Sequence, residues 1–125
     1  MTDNDITYKI RGAIYKVYNA LGPGLLESVY EVALSHQLQK EGLDVERQVK
    51  LDVVYDGVVL PIDFRLDILV EHSVIVELKS VEELKPIHHK QLMTYLRIAK
   101  KRVGILVNFN VDNINKGIFR KVNGY

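Results

Sequence analysis

The fold of this chain is decided by residues 64–80, which read FRLDILVEHSVIVELKS. Two apolar runs, 66–70 and 74–78, flank the short polar segment 71–73. This pattern is typical of two antiparallel strands joined by a tight turn. Each run contains one acid, Asp67 or Glu77, and Lys79 ends the second run. The stretch therefore predicts a strand pair that carries charged side chains among apolar ones.

The length of the turn decides whether the two acids meet. If the turn is centred on His72, Asp67 lies directly across from Glu77, with their Cβ atoms about 4.5–5.5 Å apart. Carboxylates at that distance repel each other unless a cation lies between them, and Mg²⁺ prefers such oxygen ligands. A turn shorter by one residue would send the acids to opposite faces. The simpler alternative is that Glu77 and Lys79 are ordinary strand residues whose side chains face water.

Side-chain alternation adds detail to this prediction. Residues two apart on a strand share a face, so Asp63, Arg65 and Asp67 are expected together on the first strand. The same register would place Arg65 across from Lys79.

Toward the N-terminus, the spacing of apolar residues predicts two helices, over about 3–20 and 25–41. The breaker Gly22-Pro23-Gly24 separates them. The period then changes to that of strands. Residues 45–55 and 58–70 are expected to form a hairpin around Asp56-Gly57.

Toward the C-terminus, Pro86 is expected to open a helix that runs to about residue 101. Residues 103–109 form an apolar strand of the kind that is buried on both faces. A short closing helix is expected over about 111–121. The order ααβββαβ predicts a single α/β domain over 1–125, with a mixed four-stranded sheet flanked by helices.

Composition narrows the chemistry. The chain has 125 residues, 47% of them hydrophobic, and no cysteine, which excludes thiolate zinc sites, Fe–S clusters and cysteine nucleophiles. No apolar run approaches the roughly 20 residues of a membrane-spanning helix. The acidic N-terminus does not look like a secretory signal. We expect a cytoplasmic protein that has no membrane partner.

Charge is divided unevenly along the chain. Residues 1–84 hold 8 Lys/Arg and 15 Asp/Glu, so 8 − 15 = −7, whereas residues 85–125 hold 9 Lys/Arg and 1 acid, so 9 − 1 = +8. A metal site beside a phosphate-binding surface would need such a division. A dipolar surface without a partner is the simpler alternative.

The basic half begins with Lys85, His88, His89 and Lys90. Adjacent residues on a helix point about 100° apart, so the two histidines cannot readily share a zinc ion. We expect these four side chains to face phosphate instead.

Two motifs resemble those of a known family. Asp67, followed after nine residues by Glu77-Leu78-Lys79, resembles the signature of the PD-(D/E)xK nuclease superfamily. The segment 24–30, GLLESVY, fits the GxxExxY pattern that names one family within it. The resemblance implies a restriction-endonuclease-like core and covers most of the chain. The proline of the "PD" element is missing, since Leu66 precedes Asp67.

The resemblance also implies roles for individual residues. Asp67 and Glu77 would bind Mg²⁺ or Mn²⁺, and Lys79 would assist the attacking water. Glu27 matches a helix glutamate that completes the metal site in several branches. Gln91 and Tyr95 match a pair, one helical turn apart, that lines the site in RecB-like branches.

The resemblance implies a metal-dependent nuclease that acts on DNA, although the sequence itself does not choose DNA over RNA. The alternative is a non-catalytic module that keeps the fold and binds nucleic acid or a protein partner. A homodimer that embraces a duplex is compatible with either function.

Overall fold

The computed structural model describes residues 1–124 and has the α/β architecture that the sequence predicts. Its elements along the chain are α1 (Asp3–Leu21), α2 (Glu27–Lys40), β1 (Val45–Lys50), β2 (Val54–Tyr55), β3 (Val58–Val59), β4 (Arg65–Val70), β5 (Val74–Lys79), α3 (Pro86–Ala99), β6 (Val103–Asn108), a 3-10 helix (Ile114–Gly117) and β7 (Ile118–Val122). No helix within residues 1–124 combines the length and the apolar character that crossing a membrane requires.

The main sheet has the strand order β1-β4-β5-β6-β7. Its neighbouring strands are antiparallel except β5 and β6, which are parallel. A parallel pair needs a crossover connection, and α3 provides it. The mixed sheet confirms the predicted restriction-endonuclease-like fold class and places β5, which carries Glu77 and Lys79, at the centre.

Helices cover both faces of this sheet. α1 and α2 pack on one face, where the core includes Ile10, Tyr30 and Val76. α3 packs on the other face, where Leu92 and Leu96 meet Ile75. The central strands are therefore buried on both sides, which explains their nearly continuous apolar sequence.

The helix ends follow local sequence signals. The Thr2 hydroxyl accepts from the Asp5 amide at 3.1 Å, and the Asp5 carboxylate accepts from the Thr2 amide at 2.9 Å. This reciprocal capping box fixes the start of α1. Gly22, with φ of 69°, ends α1 in a conformation that favours glycine.

The predicted strands 45–55 and 58–70 are each interrupted. Of the strands in these two segments, β1 and β4 belong to the main sheet, while β2 and β3 form a separate two-stranded hairpin around Asp56-Gly57. Pro61 explains the break in the segment 58–70, because proline has no amide hydrogen to donate to a ladder. The Ile62 amide instead donates to the Leu60 carbonyl at 2.8 Å, which forms a tight turn around Pro61.

The predicted closing helix over 111–121 is wrong, and the main sheet has five strands rather than four. Only Ile114–Gly117 is helical, as one 3-10 turn, and β7 then pairs antiparallel with β6. Burial explains the difference. Ile118 packs in the core under α1 and α2, whereas Phe119 packs on the α3 face, which is the alternation of a strand.

Candidate active site

The turn between β4 and β5 has the three residues that the prediction required. Val70 pairs with Val74, and the ladder continues through Leu69–Ile75 to Ile68–Val76. Glu71 and His72 adopt positive φ angles of 53° and 54°, which closes the turn. The predicted register is confirmed.

The ladder stops one step before the two acids. The predicted pairing of Arg65 with Lys79 is not formed, and the Arg65 guanidinium instead contacts Asp63 at 2.9 Å. Beyond Ile68 and Val76, side chains replace the ladder bonds. The Asp67 amide donates to Glu77 Oε2 at 2.8 Å, and the Leu78 amide donates to Asp67 Oδ2 at 2.9 Å. Each carboxylate is therefore fixed by the backbone of the opposite strand.

The local environment raises the pKa of both acids and so disfavours the state in which both are ionised. Burial, together with the charge of Asp67, raises the pKa of Glu77 to about 8. Burial also raises the pKa of Asp67, although the Leu78 amide and Lys79 oppose the rise. Such a pair is the arrangement that a bound cation would relieve.

Side-chain alternation does not hold across Asp67. Leu66 packs with Leu69 on the α3 face, whereas Ile68 packs on the opposite face. The expectation that Asp67 shares the side of Asp63 and Arg65 therefore rested on an alternation that β4 does not keep. Asp67 lines a cleft together with residues of α2. Opposite this point, Gln48 of β1 has a positive φ of 53°.

The segment 24–30 connects α2 to the end of β5. The Ser80 hydroxyl donates to the Leu25 carbonyl at 2.5 Å, and the Ser80 amide donates to Glu27 Oε1 at 3.3 Å. Ser80 directly follows Lys79. Glu27 is thus held beside the strand end that carries the lysine.

Tyr30 holds the loop that precedes α2 in place. Its ring is fully buried and stacks on Phe109 with centroids 4.3 Å apart. Its hydroxyl donates to the Gly22 carbonyl at 2.5 Å and accepts from the Leu25 amide at 3.1 Å. Tyr30 is therefore a packing residue whose hydroxyl holds the loop through two hydrogen bonds.

Sequence reasoning missed a second acid on α2. Glu31 is buried and accepts from Arg47 Nε at 3.2 Å, Arg47 Nη2 at 3.0 Å and Gln48 Nε2 at 2.7 Å. Glu27 and Glu31 are four residues apart, so they lie on one side of α2. That spacing was the available signal, but the partners of Glu31 are distant in sequence.

A family model of the PD-(D/E)XK nuclease superfamily matches residues 4–121. The chain belongs to the PD-(D/E)XK nuclease superfamily. The match does not reach the narrower GxxExxY family, which stays a prediction. No curated protein and no solved structure matches the chain.

The two residues of α3 that were compared with RecB-like nucleases differ in what surrounds them. Tyr95 packs edge-on against Phe64, with ring centroids 4.8 Å apart. Burial and the charges of Glu77 and Asp67 raise the pKa of Tyr95, which places its hydroxyl within their field. Gln91 lies one turn earlier and is half-buried.

The four residues predicted to face phosphate divide into two groups. Lys85 and His88 line a cleft that also contains Glu82 and Glu83, and His88 Nδ1 accepts from the Lys85 amide at 3.0 Å. Lys90 is exposed, whereas the His89 ring packs edge-on against Phe119 at 4.9 Å. Burial lowers the pKa of His89, with contributions from Lys121 and His88.

Nucleases of this superfamily generally use divalent metals, and carboxylate oxygens such as those of Asp67 and Glu77 are suitable ligands for them. Among residues 1–124, no three His, Asp or Glu side chains are grouped to hold an ion, so Glu27 does not complete a ready-made set. The pair itself fits. Asp67 Oδ1 and Glu77 Oε1 accept no hydrogen bond in the described part of the chain. Carboxylate oxygens are the ligands that hard cations such as Mg²⁺ and Mn²⁺ prefer.

The support that Tyr30 gives the loop can be measured. Tyr30→Phe keeps the stacked ring but removes both hydrogen bonds of the hydroxyl. We expect the free energy of unfolding to fall by about 1–2 kcal/mol, because the Leu25 amide loses its partner. Urea denaturation measures the change. Tyr8→Phe is the control, since Tyr8 is 80% exposed. Equal stability of the two variants would contradict this role for Tyr30.

Proposed function

We propose that the chain is a Mg²⁺- or Mn²⁺-dependent nuclease that hydrolyses phosphodiester bonds in DNA. The observation that carries the proposal is the pair of half-buried Asp67 and buried Glu77, each fixed by the opposite strand. Within residues 1–124, one oxygen of each carboxylate accepts no hydrogen bond. Two carboxylate oxygens would hold the ion, and water or phosphate oxygens would complete its coordination. A bound divalent ion supplies Lewis acidity toward the phosphodiester and the attacking water.

The chain's own residues have distinct parts in this proposal. Lys79 ends β5 beside the acid pair, and its positive charge opposes the rise in the pKa of both acids. Its ammonium would orient the attacking water and stabilise the charge that develops on the phosphate. Gln91 would help to position that water. Glu27 would contribute one further oxygen after a small movement away from the Ser80 amide.

The basic half of the chain would hold the nucleic acid outside the site. Lys85, His88, His89, Lys90 and Tyr95 remain the proposed contacts there. DNA is preferred to RNA by analogy with the superfamily alone, so the substrate must be tested directly. A homodimer on a duplex is part of the same proposal and is tested by the mass of the complex.

Labelled single-stranded DNA, duplex DNA and RNA of one sequence distinguish the substrates. We expect purified protein to cut DNA in Mn²⁺ or Mg²⁺ and to be inactive in EDTA. Asp67→Asn should abolish cleavage, because it removes a charged ligand but keeps an oxygen for the Leu78 amide. Asp63→Asn is the control, since Asp63 is exposed and, within residues 1–124, its carboxylate pairs with Arg65 alone. Cleavage by Asp67→Asn, or cleavage in EDTA, would contradict the proposal.

A further inference from the structure

A cleft of about 350 Å³ opens directly beside Asp67. Its lining residues are Glu27, Ser28, Glu31, Arg47, Gln48, Asp67 and Leu78. Three of these side chains are acidic, and Arg47 is the one cationic member among the lining residues that the structure describes. A polyanion would be repelled from such a cleft unless that cation receives it.

Arg47 is held in a defined orientation. Its Nε and Nη2 atoms both donate to Glu31 Oε2, at 3.2 and 3.0 Å. Gln48 Nε2 donates to the other oxygen of the same carboxylate at 2.7 Å. The Glu31 side chain is 9% exposed, whereas the Arg47 side chain is 43% exposed. The acid is therefore an internal anchor, and the guanidinium reaches solvent in the cleft.

The anchor leaves most of the guanidinium available. Of its five N–H donors, two contact Glu31. The other donors have no acceptor within residues 1–124. A planar fork of free donors matches the oxygen geometry of a phosphate group, and holding it in advance lowers the entropy lost on binding.

We propose that Arg47, anchored by Glu31, binds a backbone phosphate of a single-stranded nucleic acid next to the phosphate that is cut. The identity of the ligand rests on the proposed nuclease function. A cleft of about 350 Å³ can admit the backbone of one flexible strand, whereas a rigid duplex is far larger than the cleft. A purely structural role, in which Arg47 only neutralises the buried Glu31, is the competing explanation.

A double variant separates these explanations. Glu31→Gln with Arg47→Gln removes both charges and leaves no buried charge unpaired. The matched control is Asp63→Asn with Arg65→Gln, which removes an exposed ion pair at the start of β4. Binding of a short fluorescein-labelled single-stranded DNA is measured by anisotropy in EDTA, where the proposed cleavage is off.

We expect the double variant to bind about 10- to 100-fold more weakly, because charge-assisted hydrogen bonds to one phosphate are lost. Its plot of log affinity against log salt should be shallower by about 0.7, the effect of one lost phosphate contact. The control should keep both the affinity and the slope. Arg47→Lys, which keeps the charge and loses the fork, should bind with intermediate affinity and serves if the double variant does not fold.

The outcomes also separate this inference from the proposed function. If wild type binds DNA but never cuts it, and the double variant loses binding, the nuclease proposal fails. The inference that Arg47 binds a backbone phosphate then still holds. If the double variant has wild-type affinity and salt slope, the inference is overturned, whatever the cleavage assay shows. Absence of binding by the wild type overturns it as well. Tighter binding of duplex than of single strands contradicts the assigned substrate class.

Discussion

Lys79→Met is expected to slow DNA cleavage by about 10²–10³-fold, which is the usual loss when one group that stabilises transition-state charge is removed. Methionine keeps the length and the apolar stem of lysine, so only the ammonium is lost. Within residues 1–124 this ammonium forms no hydrogen bond or ion pair, and it acts on the acids only through its field. We therefore expect the free energy of unfolding to change by less than about 1 kcal/mol.

Single-turnover cleavage and urea denaturation, made on the same preparations, measure the two quantities. Lys40→Met is the control, because it removes the same charge from the exposed end of α2. It should retain the wild-type cleavage rate. A Lys79→Met protein that cuts as fast as wild type would remove Lys79 from the chemistry. A large loss of stability would show that its role is structural.

In EDTA, the protein is expected to lose a few kcal/mol of stability as the pH rises from about 5 to about 8. The sign follows from the pKa of Glu77, which rises on folding from its ordinary value of 4.5 to about 8. The folded state therefore holds a proton that the unfolded state releases. Its stabilising contribution is complete below the unfolded pKa and is lost as the pH rises through the folded pKa. The raised pKa of Asp67 acts in the same direction.

Urea denaturation at a series of pH values measures this slope. The lowered pKa of His89 has the opposite effect near pH 6.5, so the difference between wild type and Glu77→Gln isolates the acid. Glu77→Gln should show a much shallower decline, because only the contribution of Asp67 remains, while Glu83→Gln, a change in the exposed loop after β5, should retain the full decline. Mn²⁺ should restore stability most strongly at high pH, because it binds the ionised pair. A Glu77→Gln protein with the wild-type slope would contradict this account.

The decisive part of the fold could be predicted from residues 64–80. A polar segment of three residues between two apolar runs fixed the register, and the register brought the two acids together. The carboxylate-to-amide bonds could not be predicted, because alternation alone does not say where a ladder ends. The loss of alternation between Leu66 and Ile68 could not be predicted either, because it lies opposite Gln48, a residue with positive φ on a neighbouring strand.

The remaining errors have simpler physical causes. Pro61 was available in the sequence as a strand breaker, and the strand 58–70 should have been divided there. The last strand was missed because Ile118–Val122 is short and follows a helical turn, so its pairing with β6 depends on the rest of the sheet. The Glu31 anchor was missed because Arg47 and Gln48 reach it from another element, and their spacing along the chain carries no signal.

In the proposed function Asp67 and Glu77 have two roles, because they bind the metal ion and also accept hydrogen bonds from the opposite backbone. A descendant that no longer cuts nucleic acid would still need an acceptor for the amides of Asp67 and Leu78, so selection for folding alone would preserve both acids. Within residues 1–124 the Lys79 ammonium forms no hydrogen bond or ion pair, so selection for folding alone would not preserve this lysine. Among relatives of this chain, the presence of the lysine rather than of the acids should therefore distinguish active from inactive members.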